Sequence, residues 1–434
     1  MEKSTTSTSS RIIYQQIASL LLYQSVFENE IGTAFTNFLQ TLFHSHQDQS
    51  ITSIDCLKAY SYWFKLLTEK QQSWQDFLVE QILLSNNAFS HQVQLNPLEE
   101  LPASLLKAVE HDLQILQNIY DCPLTQIIQW VEIACQKTMT IIPWEIANQQ
   151  TFFSSQSVPW SNYLPELGKY YRQKGAGIFA LYHAFQWQDN QLLGVTHPDP
   201  ISLSELVGYE TAKSTLIQNT QFLLRGYPAL HVLLYGSRGS GKSSLIKAIL
   251  NEYASQGLRL IEVSKSELQA LPKIVEKLRL LPQKFILFVD DLSFEEDDDS
   301  FKSLKVVLEG GVTAKARNVV VYATSNRRHL IREFFSDRPR PLDADEVQAW
   351  DTVQEKLSFS DRFGLTLTFE PANQDTYLGI VRHLAQKAGI GLNPEELEFR
   401  AKQWATQHNG RSGRTARQFI DFLQGELALT SSLG

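Results

Sequence analysis

Cysteine and methionine are nearly absent. Among 434 residues there are three cysteines, Cys56, Cys122 and Cys135, and two methionines. Three cysteines at these spacings make neither a disulfide framework nor a set of metal ligands. They are expected as small buried apolar side chains in a reducing compartment. Long apolar runs are missing too. The Leu20-Leu21-Leu22 stretch is short and interrupted, and no run approaches the roughly 18 residues of a membrane span. A secretory leader is not visible, because one lysine is followed by the polar stretch Thr5 to Ser10. Excess positive charge is also lacking. Lysine plus arginine is 39 and aspartate plus glutamate is 47, for a net charge of -8. That excludes coating nucleic acid through bulk charge, while leaving room for a local basic patch. A soluble cytoplasmic protein with no membrane contact is expected.

What is present is ordinary globular material. Apolar residues make 43% and charged residues 20%, which argues against wholesale disorder. The length predicts about three structural units, or two larger ones. Residues 10–165 read as an all-helical domain. Ile13, Ile17, Leu20 and Leu21, then Phe27, Ile31, Phe35, Phe38, Leu39 and Leu42, recur at helical spacing. Further helices are expected at Cys56 to Leu67, Trp74 to Leu84, Leu105 to Ile119 and Leu124 to Lys137. Pro97, Pro102, Pro123 and Pro143 fall between them, where helices stop. Trp63, Trp74, Trp130, Trp144 and Trp160 suit either a recognition surface or a core, and the core is expected from the area they bury.

Residues 166–199 read as a linker region. Gly175-Ala176-Gly177 opens an amphipathic segment, Ile178 to Trp187, and His197-Pro198-Asp199-Pro200 closes the stretch. The character then changes. Short apolar clusters alternate with helical patterns over 200–372: His231–Tyr235, Leu258–Val263, Phe285–Val289, Val319–Thr324 and Leu365–Phe369. Such clusters suit parallel strands buried on both faces. Residues 373–430 are helical again.

The most specific string is Gly236-Ser237-Arg238-Gly239-Ser240-Gly241-Lys242-Ser243, which matches G-x-x-x-x-G-K-[ST] between a strand candidate and a helix candidate that begins at Ser244. Its glycines let the loop curl so that backbone N–H groups face phosphates, and the helix N-terminus adds partial positive charge. Lys242 is expected on the β- and γ-phosphates, and Ser243 on magnesium. The acidic partner of that metal is expected at the end of a buried strand. Phe285-Ile286-Leu287-Phe288-Val289-Asp290-Asp291 has that form, with Asp290 orienting Mg²⁺ through bound water and Asp291 polarising the attacking water. The run Glu295 to Asp299 reads as a solvated acidic loop.

These residues resemble the AAA+ ATPases, and more narrowly a bacterial family of predicted ATP-binding proteins of the DUF815 type, over about residues 200–425. The resemblance implies an α/β P-loop NTPase of AAA+ type, with parallel sheet order 5-1-4-3-2 and a C-terminal helical lid. It adds Leu203-Ser204-Glu205-Leu206-Val207-Gly208-Tyr209-Glu210, similar to the segment near the adenine, which puts Val207 and Gly208 on the nucleotide. Ala323-Thr324-Ser325-Asn326 matches the sensor 1 position at Asn326. Ser360-Asp361-Arg362-Phe363-Gly364 is similar to the segment bearing the arginine finger, so Arg362 is expected on a neighbouring subunit's γ-phosphate in a homo-oligomer. Gly410 to Arg417 resembles the sensor 2 region; Arg414 is the closer match, and Arg417 sits one turn further on. The chain departs from the pattern at Asp290-Asp291, where the family's commonest pair ends in glutamate.

The implied function is Mg²⁺-dependent ATP binding and hydrolysis coupled to remodelling or loading a protein partner, chosen by the N-terminal domain. A guanine-specific switch would need an Asn-Lys-x-Asp string, which is absent after the loop. A nucleic-acid-associated ATPase similar to helicase loaders is the alternative, carried by Arg327, Arg328, Arg332, Arg338 and Arg340. A nucleotide-gated scaffold with little turnover is a third reading, carried by the short side chain of Asp291.

Overall fold

A computed structural model describes residues 2–45, 52–136, 139–147, 152–153, 158–294, 300–310, 315–326, 330, 358–408 and 410–432. The acidic run 295–299 and the arginines at 327, 328, 332, 338 and 340 lie outside the described residues. The chain divides into two units, Met1–Leu181 and Tyr182–Gly434.

The first unit is helical: α1 Glu2–Ala18, α2 Glu30–His44, α3 Ser53–Lys70, α4 Trp74–Leu84, α5 Ala88–Leu95, α6 Ala103–Tyr120, α7 Leu124–Ala134, α8 Leu164–Lys174 and the single turn α9 Ile178–Leu181. Asn29, Ser73 and Asn87 cap α2, α4 and α5 through their side-chain oxygens, each satisfying a backbone N–H that the helix leaves open. Pro102 and Pro123 occupy the N-cap positions of α6 and α7. Trp63, Trp74, Trp130 and Trp160 are buried. Phe35 packs between Trp74 and Trp63, at 4.2 and 5.2 Å between ring centroids. The tryptophans are therefore mainly core; Trp144 is half-buried and its indole N–H donates to the Gln72 carbonyl. Cys56, Cys122 and Cys135 are buried and form no disulfide, and burial pushes the Cys122 thiol up to about 11. Asp112, fully buried, accepts from the backbone N–H groups of Leu21, Leu22 and Tyr23. It ties the chain just after α1 to α6.

The second unit is a seven-stranded sheet flanked by helices. Its strands are β1 Ala184–Gln188, β2 Gln191–Gly194, β3 Val232–Gly236, β4 Leu258–Val263, β5 Lys284–Val289, β6 Val319–Ser325 and β7 Leu365–Phe369. Their order is β2-β1-β4-β5-β6-β3-β7. Counted from β3, the last five strands run 5-1-4-3-2, as the AAA+ resemblance implies. All pairings are parallel except β1 with β2. Every residue of β6 is buried, as a central strand covered on both faces requires. The helices are α10 Glu210–Leu224, α11 Lys242–Tyr253, α12 Leu271–Leu278 and α13 Ser300–Glu309, followed by α14 Gln374–Lys387, α15 Pro394–Gln407 and α16 Gly413–Ser432. The last three share their own core, including Tyr377, Val381, Leu397, Ala401, Phe419 and Leu423. They form the lid. Among the described residues no helix is long and apolar enough to cross a membrane.

The stretch 166–199 differs from a linker. Its first part completes α8, whose Leu167 and Tyr171 are buried in the first unit. Its second part is a hairpin that widens the sheet. Within the amphipathic segment Ile178 to Trp187, α9 ends at Leu181 and β1 begins at Ala184, with burial alternating from Phe185 onward. Phe185 and Trp187 point into the core while Gln186 and Gln188 face solvent. Asp189 and Asn190 both take positive φ, 50° and 62°, as a tight hairpin turn of matching twist requires. The alternation and the Asp-Asn pair were the signal for this hairpin.

Candidate phosphate-binding site

The loop after β3 is shaped by three glycines. Gly236 has φ 146°, and a Cβ there would run into the carbonyl oxygen of Phe369 on β7. The adjacent strand comes this close because Ser237 N–H donates to that same oxygen at 3.1 Å. Gly239 and Gly241 have φ 74° and 89°. Gly241 is the N-cap of α11 and starts the helix directly out of the loop. Arg238, Gly239, Ser240, Gly241, Lys242, Ser243 and Ser244 line a cavity of about 540 Å³. Gly236 and Ser237 do not line it; their carbonyl oxygens instead accept from Lys242 Nζ at 2.9 and 2.8 Å.

Lys242 is 6% exposed and reaches a third oxygen, Asn326 Oδ1, at 3.3 Å. Burial lowers the affinity of its amine for a proton, and the charges of Asp290 and Asp291 oppose that shift. Ser243 Oγ donates to Asp290 Oδ1 at 2.6 Å. Thr324 Oγ1, from the end of β6, donates to the same oxygen at 2.5 Å and accepts from Asp291 N–H at 2.9 Å. Asp291 takes a left-handed φ of 49°. Asn326 Nδ2 donates to Asp291 Oδ1 at 2.6 Å. The Asn326 amide thus bridges Lys242 and Asp291. Four chain segments, from β3 through α11, β5 and β6, converge at the carboxyl ends of parallel strands, where open α/β sheets bind ligands.

Much of the remaining lining is apolar: Ile201, Leu206, Val207, Gly208 and Tyr209, with Ile380 and Leu384 of the lid. Tyr209 OH donates to the Glu370 carbonyl at 2.5 Å, and its ring lies 4.9 Å from that of Phe369. This apolar lining suits a flat aromatic base.

Arg414 and Arg417 both line the cavity, and Arg414 N–H donates to the Gly239 carbonyl at 3.3 Å. Arg417 Nη2 donates to Glu205 Oε2 at 2.9 Å, and Lys387 Nζ lies 2.5 Å from Glu205 Oε1. Burial works against the Glu205 charge, yet Lys387 and Arg417, with Ser202, hold its pKa at about 2. Arg362 does not line the cavity. It forms an ion pair with Glu309 at the end of α13, and its guanidinium lies 5.9 Å from the Phe359 ring centre.

The tertiary contacts add Thr324, Glu205 and Glu309 to the residues expected from sequence. Thr324 stood within the quoted sensor string and Glu205 within the upstream segment, but no spacing rule reveals their partners. Among the described residues, no group of three or more His, Cys, Asp or Glu side chains is placed to hold a metal. One hydroxyl and one carboxylate, Ser243 and Asp290, meet instead. That small oxygen set fits magnesium, which keeps water and phosphate as its remaining ligands.

A GxxxxGK[ST] loop leading out of strand 1 of a 5-1-4-3-2 sheet, closed over by a helical lid, is the architecture of AAA+ ATPases. Within that class the chain belongs to the DUF815 family. The family model, described as "Protein of unknown function (DUF815)", matches residues 180–427. The Replication factor C large subunit of Staphylothermus marinus is 38% identical over 69 residues, which are 16% of this chain and 16% of that protein. Among solved structures, the RuvB Holliday junction branch migration motor of Thermotoga maritima is similar at 17% identity and a TM-score of 0.32, over 52% of this chain and 72% of that one. A single-substitution variant of the same motor gives 18% identity and a TM-score of 0.33 over the same shares.

Proposed function

We propose that this protein binds ATP with magnesium, hydrolyses it, and uses the cycle to remodel or load a protein partner. The observation that carries the reading is the meeting of Ser243 Oγ with Asp290 Oδ1, 2.6 Å apart, beside the buried Lys242. Loop and strand end thus present a hydroxyl, a carboxylate and an ammonium to one place. Ser243 and Asp290 would hold magnesium, which would supply positive charge to the phosphates.

Lys242 exchanges its loop carbonyls for phosphate oxygens. The loop N–H groups and the start of α11 add donors. Asp291 takes the proton of the attacking water as oxygen bonds to the γ-phosphorus and the bond to ADP breaks. Asn326 holds that carboxylate in place. Arg414, fixed beside Gly239, senses the γ-phosphate, with Arg417 next to it on the same lid helix. Val207 and Gly208 border the base. Arg362 acts on the site of a neighbouring copy in a homo-oligomer, and the N-terminal helical unit selects the partner. The net charge of -8 favours a protein partner over nucleic acid.

The test is Lys242→Ala. ATP affinity, read by titration with magnesium, and phosphate release should both collapse. Undiminished affinity and turnover would refute the site. Assembly that depends on ATP without phosphate release would favour the scaffold reading. DNA binding that weakens steeply along a salt series would favour the nucleic-acid reading.

A further inference from the structure

Glu205 takes no part in the chemistry proposed above, yet it is one of the most heavily engaged carboxylates in the second unit. It ends the short turn Leu203–Glu205, directly before the Leu206 to Gly208 segment that gives the cavity part of its apolar lining. Oε1 accepts from Ser202 N–H and Oγ at 3.3 and 3.2 Å and lies 2.5 Å from Lys387 Nζ. Oε2 accepts from Arg417 at 2.9 Å. Lys387 ends α14 and Arg417 lies in α16, so one carboxylate ties two lid helices to the base-facing segment. The Glu205 side chain is 12% exposed, while Lys387 and Arg417 are half-exposed, so water reaches these pairs from the cation side only.

We infer that Glu205 is a positioning residue: a clasp that holds the lid to the base-facing segment and so couples binding of the nucleoside to closure over the phosphates. The inference deepens the ATP reading and rests on it for its nucleotide readout alone. The clasp also divides the two lid arginines. Arg417 is spent on Glu205 and closure, which leaves Arg414, anchored at Gly239, to read the γ-phosphate. Closure is common to di- and triphosphate, whereas the γ-phosphate belongs to one. Loss of the clasp must therefore weaken both nucleotides by the same factor.

The experiment uses the full chain and Glu205→Gln, which keeps the shape and removes the charge. Hydrogen–deuterium exchange without nucleotide should show lid amides in 374–387 and 413–429 exchanging about tenfold faster, as expected for losing a charge-assisted contact. Fluorescent ATP and ADP analogues with magnesium should both bind about tenfold more weakly, while Arg414→Ala weakens ATP selectively. Glu205→Asp should restore part of the protection. Wild-type exchange rates together with wild-type affinities in Glu205→Gln would overturn the clasp. So would a loss confined to ATP. Faster lid exchange in a protein whose wild type binds neither nucleotide would uphold the clasp and refute the ATP reading instead. Should Glu205→Gln fail to fold, Lys387→Met carries the same test, because it removes one of the two cations from a half-exposed position.

Discussion

Arg362 and Glu309 are ion-paired within one chain. The arginine that the resemblance assigns to a neighbour's γ-phosphate is held at home, against the end of α13 and over the Phe359 ring. A trans role requires this pair to open when copies assemble. Arg362→Ala should leave ATP affinity near wild type and cut phosphate release on the order of 1000-fold, the usual size of an arginine finger. Mixing Arg362→Ala with Lys242→Ala should recover turnover, since one copy supplies the finger and the other the intact loop. Full turnover by Arg362→Ala alone would reduce the pair to a structural contact.

Asp291 sits at a left-handed φ with its carboxylate on Asn326. Asp291→Asn keeps the size and loses the base. Phosphate release should fall by roughly 100- to 10,000-fold, the range general bases supply, with ATP still bound. Such a stalled form should retain its protein partner during purification. Unchanged release would mean that the water is activated elsewhere.

Glu205 has its pKa held at about 2, against an ordinary value of 4.5. A carboxylate whose folded pKa is depressed stabilises the fold above its unfolded pKa and loses that contribution as pH falls through the folded one. The melting-temperature gap between wild type and Glu205→Gln should therefore be full above about pH 4.5 and close as pH drops toward about 2. A gap that stays constant over that window would mean the carboxylate charge contributes nothing.

Asp112 collects three successive backbone N–H groups while fully buried. Asp112→Leu leaves those three donors buried without an acceptor. It should destabilise the first unit by about 2–3 kcal/mol, the cost of unmaking buried hydrogen bonds to a charged group. Chemical denaturation followed by tryptophan emission would measure it, because Trp63 and Trp74 lie in that unit's core. A change below about 0.5 kcal/mol, typical of surface substitutions, would contradict the capping role.

Much of the site was legible before any coordinates. The five apolar clusters match β3 to β7 almost residue for residue, because strands inside a covered sheet are mostly apolar; the edge strand β7 alternates instead, with Thr366 and Thr368 exposed. The loop glycines were readable because only glycine tolerates the backbone at Gly236, where a Cβ meets the Phe369 carbonyl. The β1–β2 hairpin was not read, since a short segment that matches both a helical and an alternating pattern is settled by the sheet edge it joins. Here that edge is β4.

The sequence by itself determined strands β3 to β7, the phosphate loop and the acidic pair, because each depends on residue types at short, fixed separations. Only the tertiary structure decided who pairs with whom. Arg362 with Glu309, Arg417 and Lys387 with Glu205, and Thr324 with Asp290 join residues from 34 to 212 positions apart. A charged side chain binds whichever opposite charge the fold delivers, and its own neighbours in the chain carry no record of that choice.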